Sequence, residues 1–386
     1  MKIKATLFKK KSENNEKYTW YDCTPIDKLG CQWNVLFGQR SNGKTYSLLT
    51  MILRKYHDNQ EQGAYIRRYL DSIMPNKHGH AFDNIIANGF IADLFKDTKE
   101  KWTTCIYNSR KWYLAKIVKG KDGTNRTIVD DIPFMYSIAL TEEQDYKGSP
   151  FPFVTTIFFD EFISSDGYLF DEFRTFCNVC STIIRKRNNV KIWLAGNTIS
   201  QYCPYFAERG IKHPENIPLG KTRIYTYGSD SQMKLVVQRT ENAVPVGKKD
   251  IDYYFAFDNP KLKRITKGDW EIPNYPHIDF DYLPKDILYT YFIQFNDETF
   301  QCEIVDKDNG SVTYIHRKTT PIKDKDDEII FNTIQNSDER YRMRITKPFD
   351  KLGSFIFSFF RKEKVFYQDN SVGDSVSNYL KWCNTL

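Results

Sequence analysis

The stretch FGQRSNGKTYSLL, residues 37–49, constrains this chain more than any other. It contains G-x-x-x-x-G-K-[ST], with Gly38, Gly43, Lys44 and Thr45 in the required places. The glycines let the backbone turn sharply and bring its N–H groups against phosphate oxygens. Lys44 then reaches the β and γ phosphates, Thr45 offers its hydroxyl to Mg²⁺, and the following helix points its positive end at the same charge. The flanks agree. CQWNVLFG before the loop is a short apolar run suited to a buried strand, GKTYSLLTMILRKY after it repeats apolar residues at helical spacing, and GAYIRRY reads as a second strand. Strand, loop, helix, strand is the unit this motif requires. The span Gly38, Gln39, Arg40, Ser41, Asn42, Gly43, Lys44, Thr45 and Tyr46 is therefore expected to hold ATP. Arg40 stands out, because small residues would fit such a loop more easily.

A second segment supplies the partners. FVTTIFFDEF carries an apolar run (Ile157, Phe158, Phe159, with Val154 nearby) suited to a central parallel strand buried on both faces. Asp160 and Glu161 emerge at its carboxyl end, where open α/β sheets bind ligands. Asp160 is expected to hold Mg²⁺ and Glu161 to polarise the attacking water. A helix is expected over roughly 168–187, followed by the strand VKIWLAGN. Arg185 and Arg187 at the helix end either compensate its dipole or reach a neighbouring subunit's γ-phosphate. Asn197 either senses the γ-phosphate or the attacking water, or forms a turn.

The remainder is less regular. TTCIYNSRKWYLAKIV reads as a hairpin turning at Asn108 and Ser109, inside an inserted segment over 71–150. Proline recurs at 204, 214, 218 and 245, and residues 212–280 read as a linker region with small β elements. From about 285, ILYTYFIQF, ETFQCEIVD and VTYIHRKTT are consecutive strands, followed by a helical tail. The expected domains are 1–211, the linker 212–280, and 281–386, which 386 residues can accommodate.

Composition excludes little. The net charge of +7 permits a polyanionic partner without requiring one. Cys177 and Cys180 are a close pair, but nothing completes a zinc site, so they read as buried thiols on a helix. Residues 1–17 are lysine-rich with no apolar run behind them, so no secretory signal is expected. LGSFIFSFF near 352–360 is too short to span a bilayer, and no membrane partner is expected. Arg67 and Arg68, and the loop lysines Lys119 and Lys121, are candidate DNA contacts, although the two arginines suit a structural role or one near the nucleotide equally well.

Taken together, GQRSNGKTYS, AYIRRY, TTIFFDEFI, IIRKRNNVKIWLAGN and CPYF resemble the DNA-encapsidation ATPases of phi-twenty-nine-like podophages, small relatives of the large terminases. The likeness covers residues 30–205 in order and continues weakly through 286–317. It implies an α/β chain: a P-loop (ASCE-type) ATPase domain with a mainly parallel central sheet, then a smaller α/β RNase H-like domain. It further implies a homo-oligomeric ring, commonly a pentamer, that moves double-stranded DNA into an empty prohead. Such a ring works in the host cytoplasm, transiently on the portal vertex. By this likeness Lys44 and Thr45 bind ATP and Mg²⁺, Arg185 is the trans finger with Arg187 in reserve, and Arg40 stands between Glu161 and the γ-phosphate. In related small motors the C-terminal region is associated with a structural packaging RNA. The chain departs from the large terminases at Gln294 and Phe295, where an inward nuclease carboxylate is expected, while Asp297 and Glu298 fall at the turn. A nuclease-like fold without nuclease activity is therefore expected. Two other readings are a helicase-like ring NTPase, disfavoured by the lack of further helicase motifs, and a nucleotide-binding scaffold without turnover, disfavoured by Glu161.

Overall fold

The computed structural model describes residues 18–120, 124–164, 167–197, 203–211, 214–230, 232–241, 244–245, 274–306, 310–323 and 328–384. Lys121 lies outside them, as do residues 246–273 of the expected linker.

Near the N-terminus, β1 (Tyr18–Thr19) precedes the short helix α1 (Thr24–Asp27). The phosphate-loop unit follows as β2 (Trp33–Gly38), α2 (Lys44–Asn59) and β3 (Gln62–Arg67). Val35, Leu36 and Phe37 are completely buried, as a strand covered on both faces requires. On α2, Leu48, Leu49, Ile52, Leu53 and Tyr56 form the buried stripe, and the helix stops at Gln60, which takes a left-handed φ of 58°.

The insertion contains short helices α3 (Pro75–His78), α4 (Asp83–Ala87) and α5 (Phe90–Leu94), then strands β4 (Thr104–Asn108), β5 (Lys111–Lys119) and β6 (Asn125–Ala139). The expected hairpin is present, but its turn is Ser109–Arg110, with φ of 50° and 60°, not Asn108–Ser109. Positive φ at both central residues matches the twist of the flanking strands. The core resumes with β7 (Val154–Asp160), buried at all seven positions, then α6 (Glu172–Ile184) and β8 (Lys191–Asn197). Helix α6 is shorter than the expected 168–187, because Asp171 and Arg185 at its two ends both take left-handed φ. It carries both cysteines, of which Cys180 is buried and Cys177 half-buried.

After α7 (Pro204–Ala207), strands β9 (Thr222–Tyr227) and β10 (Met233–Thr240) lead to β11 (Val244–Pro245), which pairs with β1. The main sheet is nine-stranded, in the order β4-β5-β6-β3-β7-β8-β2-β10-β9. From β6 to β10 every pairing is parallel. One strand, β8, separates the loop strand from the carboxylate strand, as an ASCE-type sheet requires. The placement of β9 and β10 corrects the expected boundary at 211: residues 222–240 complete the ATPase-type sheet and are not a linker. Leu235, Val236 and Val237 of β10 are fully buried against β2.

The C-terminal sheet is six-stranded and built from β12 (Ile287–Phe295), β13 (Glu298–Val305), β14 (Val312–Arg317), β15 (Ile330–Phe331), β16 (Tyr341–Arg342) and β17 (Val365–Tyr367). Strands β12 to β14 form an antiparallel meander, and β15 and β16 add in parallel beside β12. At the other edge β17 adds in parallel alongside β14, giving the order β16-β15-β12-β13-β14-β17. Helices α8 (Lys351–Arg361) and α9 (Asn370–Asn384) cover it, with Ile356, Phe359, Val372, Val376 and Tyr379 packed into its core. Phe295 is part of that core, and the turn is Asn296–Asp297. Glu298 already belongs to β13, where it pairs with Arg317 at 2.9 Å. No helix among the described residues is long and apolar enough to cross a membrane.

Candidate active site

The carboxyl ends of β2, β7 and β8 meet at one edge of the sheet, and the loop between β2 and α2 lies over them. Gly38 is required by close packing: a Cβ there would overlap the Thr240 side chain of β10. Gly43 takes a φ of 97°, which glycine tolerates, immediately before α2 begins. Asn42 is buried and ties the loop to β10, its amide donating to Thr240 Oγ1 at 2.8 Å and to the Glu241 carbonyl at 2.9 Å. The Lys44 ammonium is also buried, donating to the Gln39 carbonyl at 2.6 Å and to Asn42 Oδ1 at 3.1 Å. Burial lowers its pKa to about 8, and the Asp160 charge offsets part of that.

Thr45 Oγ1 donates to the Asp160 carboxylate, 3.2 Å from Oδ1 and 3.3 Å from Oδ2, so the two expected metal-binding groups adjoin. Burial pushes the Asp160 carboxyl upward, while neighbouring Arg67 pulls it back. A hydroxyl and a carboxylate are hard oxygen donors, which suit Mg²⁺ better than a soft metal. The donor set therefore fits the expected cation. Glu161 follows with a left-handed φ of 59°, its N–H donating to Asp160 Oδ1 at 3.1 Å. These groups open into a cleft of ≈ 1060 Å³, large enough for a nucleotide. Ser41 to Tyr46, Asp160, Glu161 and Asn197 line it. Asn197 stands opposite Gly38 across the β2–β8 pairing.

Three expectations change. Arg68 is 7% exposed and cannot reach DNA, because it forms a buried two-pronged pair with Glu172, at 2.7 and 2.9 Å. It also donates to the carbonyls of Glu161 and Phe162 at 3.2 and 2.9 Å, which fixes the backbone of the turn after β7. Arg67 is likewise no DNA contact: its guanidinium pairs with the Glu161 carboxylate and lies 3.8 Å from Asp160. Glu161 therefore engages Arg67 here, whereas Arg40 is exposed and makes no ion pair among the described residues.

Arg185 and Arg187 lie at the opposite end of the sheet, roughly 20 Å from Asp160 along β7. Arg187 closes the end of α6, donating to the carbonyls of Phe151, Pro152, Ile183 and Ile184. Arg185 is exposed and gives one bond, to the Ser149 carbonyl at 2.9 Å. Neither serves its own phosphate loop. Lys119 is exposed near the tip of the β5–β6 hairpin.

Two features of the site carry no motif in the sequence. Residues 20–24 wall the cleft, with the Tyr21 N–H donating to the Asn42 carbonyl at 2.9 Å and the Cys23 N–H to Ser47 Oγ at 2.9 Å. No motif marks that segment. Tyr65 is the second, and only the alternation in YIRRY signals it, by placing it on the same face of β3 as Arg67.

Residues 107–212 match the family described as Podovirus DNA encapsidation protein (Gp16). The chain is 29% identical over 181 residues to the DNA packaging protein of Bacillus phage B103, covering 46% of this chain and 48% of that protein. It is 26% identical over 176 residues to the DNA packaging protein of Bacillus phage phi29, covering 45% of each. The chain thus spans about half the length of the curated relatives it matches. Among solved structures, it resembles the Phi-28 gp11 DNA packaging motor with a TM-score of 0.53 at 18% identity, over 95% of this chain and 98% of that one. It also resembles the bacteriophage Phi-29 viral genome packaging motor assembly, with a TM-score of 0.51 at 17% identity, over 95% and 99% of the two chains. The sequence resemblance to podovirus DNA encapsidation proteins is borne out, and the structural matches establish the shared α/β fold with its mostly parallel central sheet.

Proposed function

We propose that this chain is an ATP-hydrolysing subunit of a ring motor that moves double-stranded viral DNA into a preformed prohead. The observation that carries the reading is the contact of Thr45 with Asp160 across α2 and β7, with Glu161 beside it at the mouth of the cleft. The similarity to packaging proteins of Bacillus phages supplies the substrate class.

In this reading the loop N–H groups and Lys44 hold the β and γ phosphates, and Thr45 and Asp160 hold Mg²⁺. When bound, the cation neutralises phosphate charge and polarises the phosphorus. Glu161 orients the attacking water and accepts its proton as the bond to the γ-phosphorus forms and ADP departs. To do so its carboxylate must leave Arg67, because the guanidinium occupies the oxygen that would meet the water. Asn197 faces the phosphate end, and Arg185 reaches the adjoining subunit's site from the far edge of the sheet. A pentameric ring, docking on a portal and use of a packaging RNA belong to the same proposal, as do Lys119 and Lys121 as DNA contacts.

Glu161→Gln tests the chemistry. It should bind ATP with an affinity close to wild type in equilibrium dialysis while losing single-turnover hydrolysis by at least about a hundredfold. Hydrolysis at the wild-type rate would remove Glu161 from its role.

A further inference from the structure

We infer that Tyr65 is a positioning residue for the Asp160 carboxylate, fixing the orientation in which that carboxylate meets the cation of the bound nucleotide; this rests on the nucleotide reading above. Tyr65 lies on β3, 3% exposed, and its hydroxyl donates to Asp160 Oδ2 at 2.9 Å. The direction of that bond follows from its neighbours. Arg67 Nη1 stands 3.2 Å from the same hydroxyl, and a guanidinium can only donate. The hydroxyl therefore accepts from Arg67, and its single proton goes to Asp160.

The hydroxyl matters because it donates to Oδ2 alone, with Arg67 Nη1 beyond hydrogen-bond distance of that oxygen at 3.8 Å. The last torsion of an aspartate is broad, so its oxygens turn unless hydrogen bonds hold them. Oδ1 accepts from the Glu161 N–H at 3.1 Å, and Thr45 reaches both oxygens at similar distance, so it does not choose between them. Tyr65 fixes the other end, at Oδ2. Partners of this kind, bonded to a metal-binding group without touching the metal, commonly govern metal affinity by 10- to 100-fold.

Packing holds the ring independently of the hydroxyl. It stacks on His78 with centroids 4.5 Å apart and meets Phe158 edge-on at 5.3 Å. His78 is itself fixed, its Nε2 accepting from Trp112 Nε1 at 3.1 Å. A phenylalanine would fill the same space and keep both ring contacts. The hydroxyl thus has no packing role, and Tyr65→Phe isolates its effect.

The test is Mn²⁺ binding to the full chain saturated with ADP, followed by electron paramagnetic resonance, in wild type and Tyr65→Phe. The variant should bind metal-free ADP as wild type does, which reports an intact loop, and should bind Mn²⁺ about tenfold more weakly. Thr45→Ala, which removes a proposed ligand, should weaken Mn²⁺ at least as much. Equal Mn²⁺ affinity in wild type and Tyr65→Phe would overturn the assignment while leaving the nucleotide reading intact. A wild-type chain that binds neither ADP nor Mn²⁺ in its presence would overturn both.

Discussion

Arg67 and Arg68 are adjacent in sequence and point to opposite faces of the sheet, so they do different work. Arg67 meets the Glu161 side chain, while Arg68 holds the Glu161 backbone through its pair with Glu172. Glu172 is 2% exposed and also accepts from Tyr205 and from the Leu169 N–H. Removing Arg68 would strand that carboxylate in the interior. Arg68→Ala should therefore cost roughly 3–5 kcal/mol in urea unfolding, and the Arg68→Ala/Glu172→Ala pair should cost less than the sum of the single changes. Additive costs would show that the two residues do not act as a unit. His78 gives a pH prediction. Burial holds its pKa at about 4, with Arg67 adding to the shift, against an ordinary value of 6.5. A histidine that is neutral in the folded chain and protonated in the unfolded one stabilises the fold above pH 6.5, and that stability is lost as pH falls toward 4. The other groups packed around it are the rings of Tyr65, Tyr107 and Trp112. In thermal melts at pH 7 and pH 5, His78→Gln should be less stable at pH 7 yet lose less on acidification. An unchanged acid slope would exclude His78 as its source.

At the scale of elements, the β5–β6 hairpin presents large apolar side chains to solvent. Ile117, Ile128 and Ile132 are 60, 43 and 52% exposed on it, and Lys119 stands near its tip. If the hairpin lies along a phosphate backbone, Lys119→Ala should weaken DNA binding alike for all sequences. It should also reduce the slope of log K against log salt by about 0.9. An unchanged slope would place the DNA elsewhere. The elements around the loop were legible in sequence because their signals are local: a contiguous motif, an apolar run ending in two acids, a helical period. The pairing of β10 with β2 was not, since it joins segments about two hundred residues apart, and the prolines between 204 and 218 suggested that the sheet had ended. The apolar run Leu235–Val237 was the available sign of another buried strand. The environment of Glu161 was hidden for a similar reason. Its partner sits on β3, and only the β3–β7 register brings Arg67 beside it. A local reading of the phosphate loop offered Arg40 instead.

For the whole molecule, the position of Arg185 is informative. It lies at the edge of the sheet opposite the cleft and is exposed, so any contact with a γ-phosphate must be made between subunits. In rings of Arg185→Ala alone, or of Lys44→Ala alone, turnover should be abolished. In mixed rings, an intact Arg185 beside an intact Lys44 should restore a measurable fraction of it. No recovery in rings shown to be mixed would make Arg185 structural, in the manner of Arg187. The central claim, that ATP hydrolysis at this site drives DNA inward, is tested most directly by nuclease protection of DNA mixed with portal-bearing proheads, wild-type chain and ATP. DNA should become protected in proportion to ATP consumed, and Glu161→Gln should protect none. Protection that persists with Glu161→Gln, or ATP consumption by the wild type without protected DNA, would contradict it.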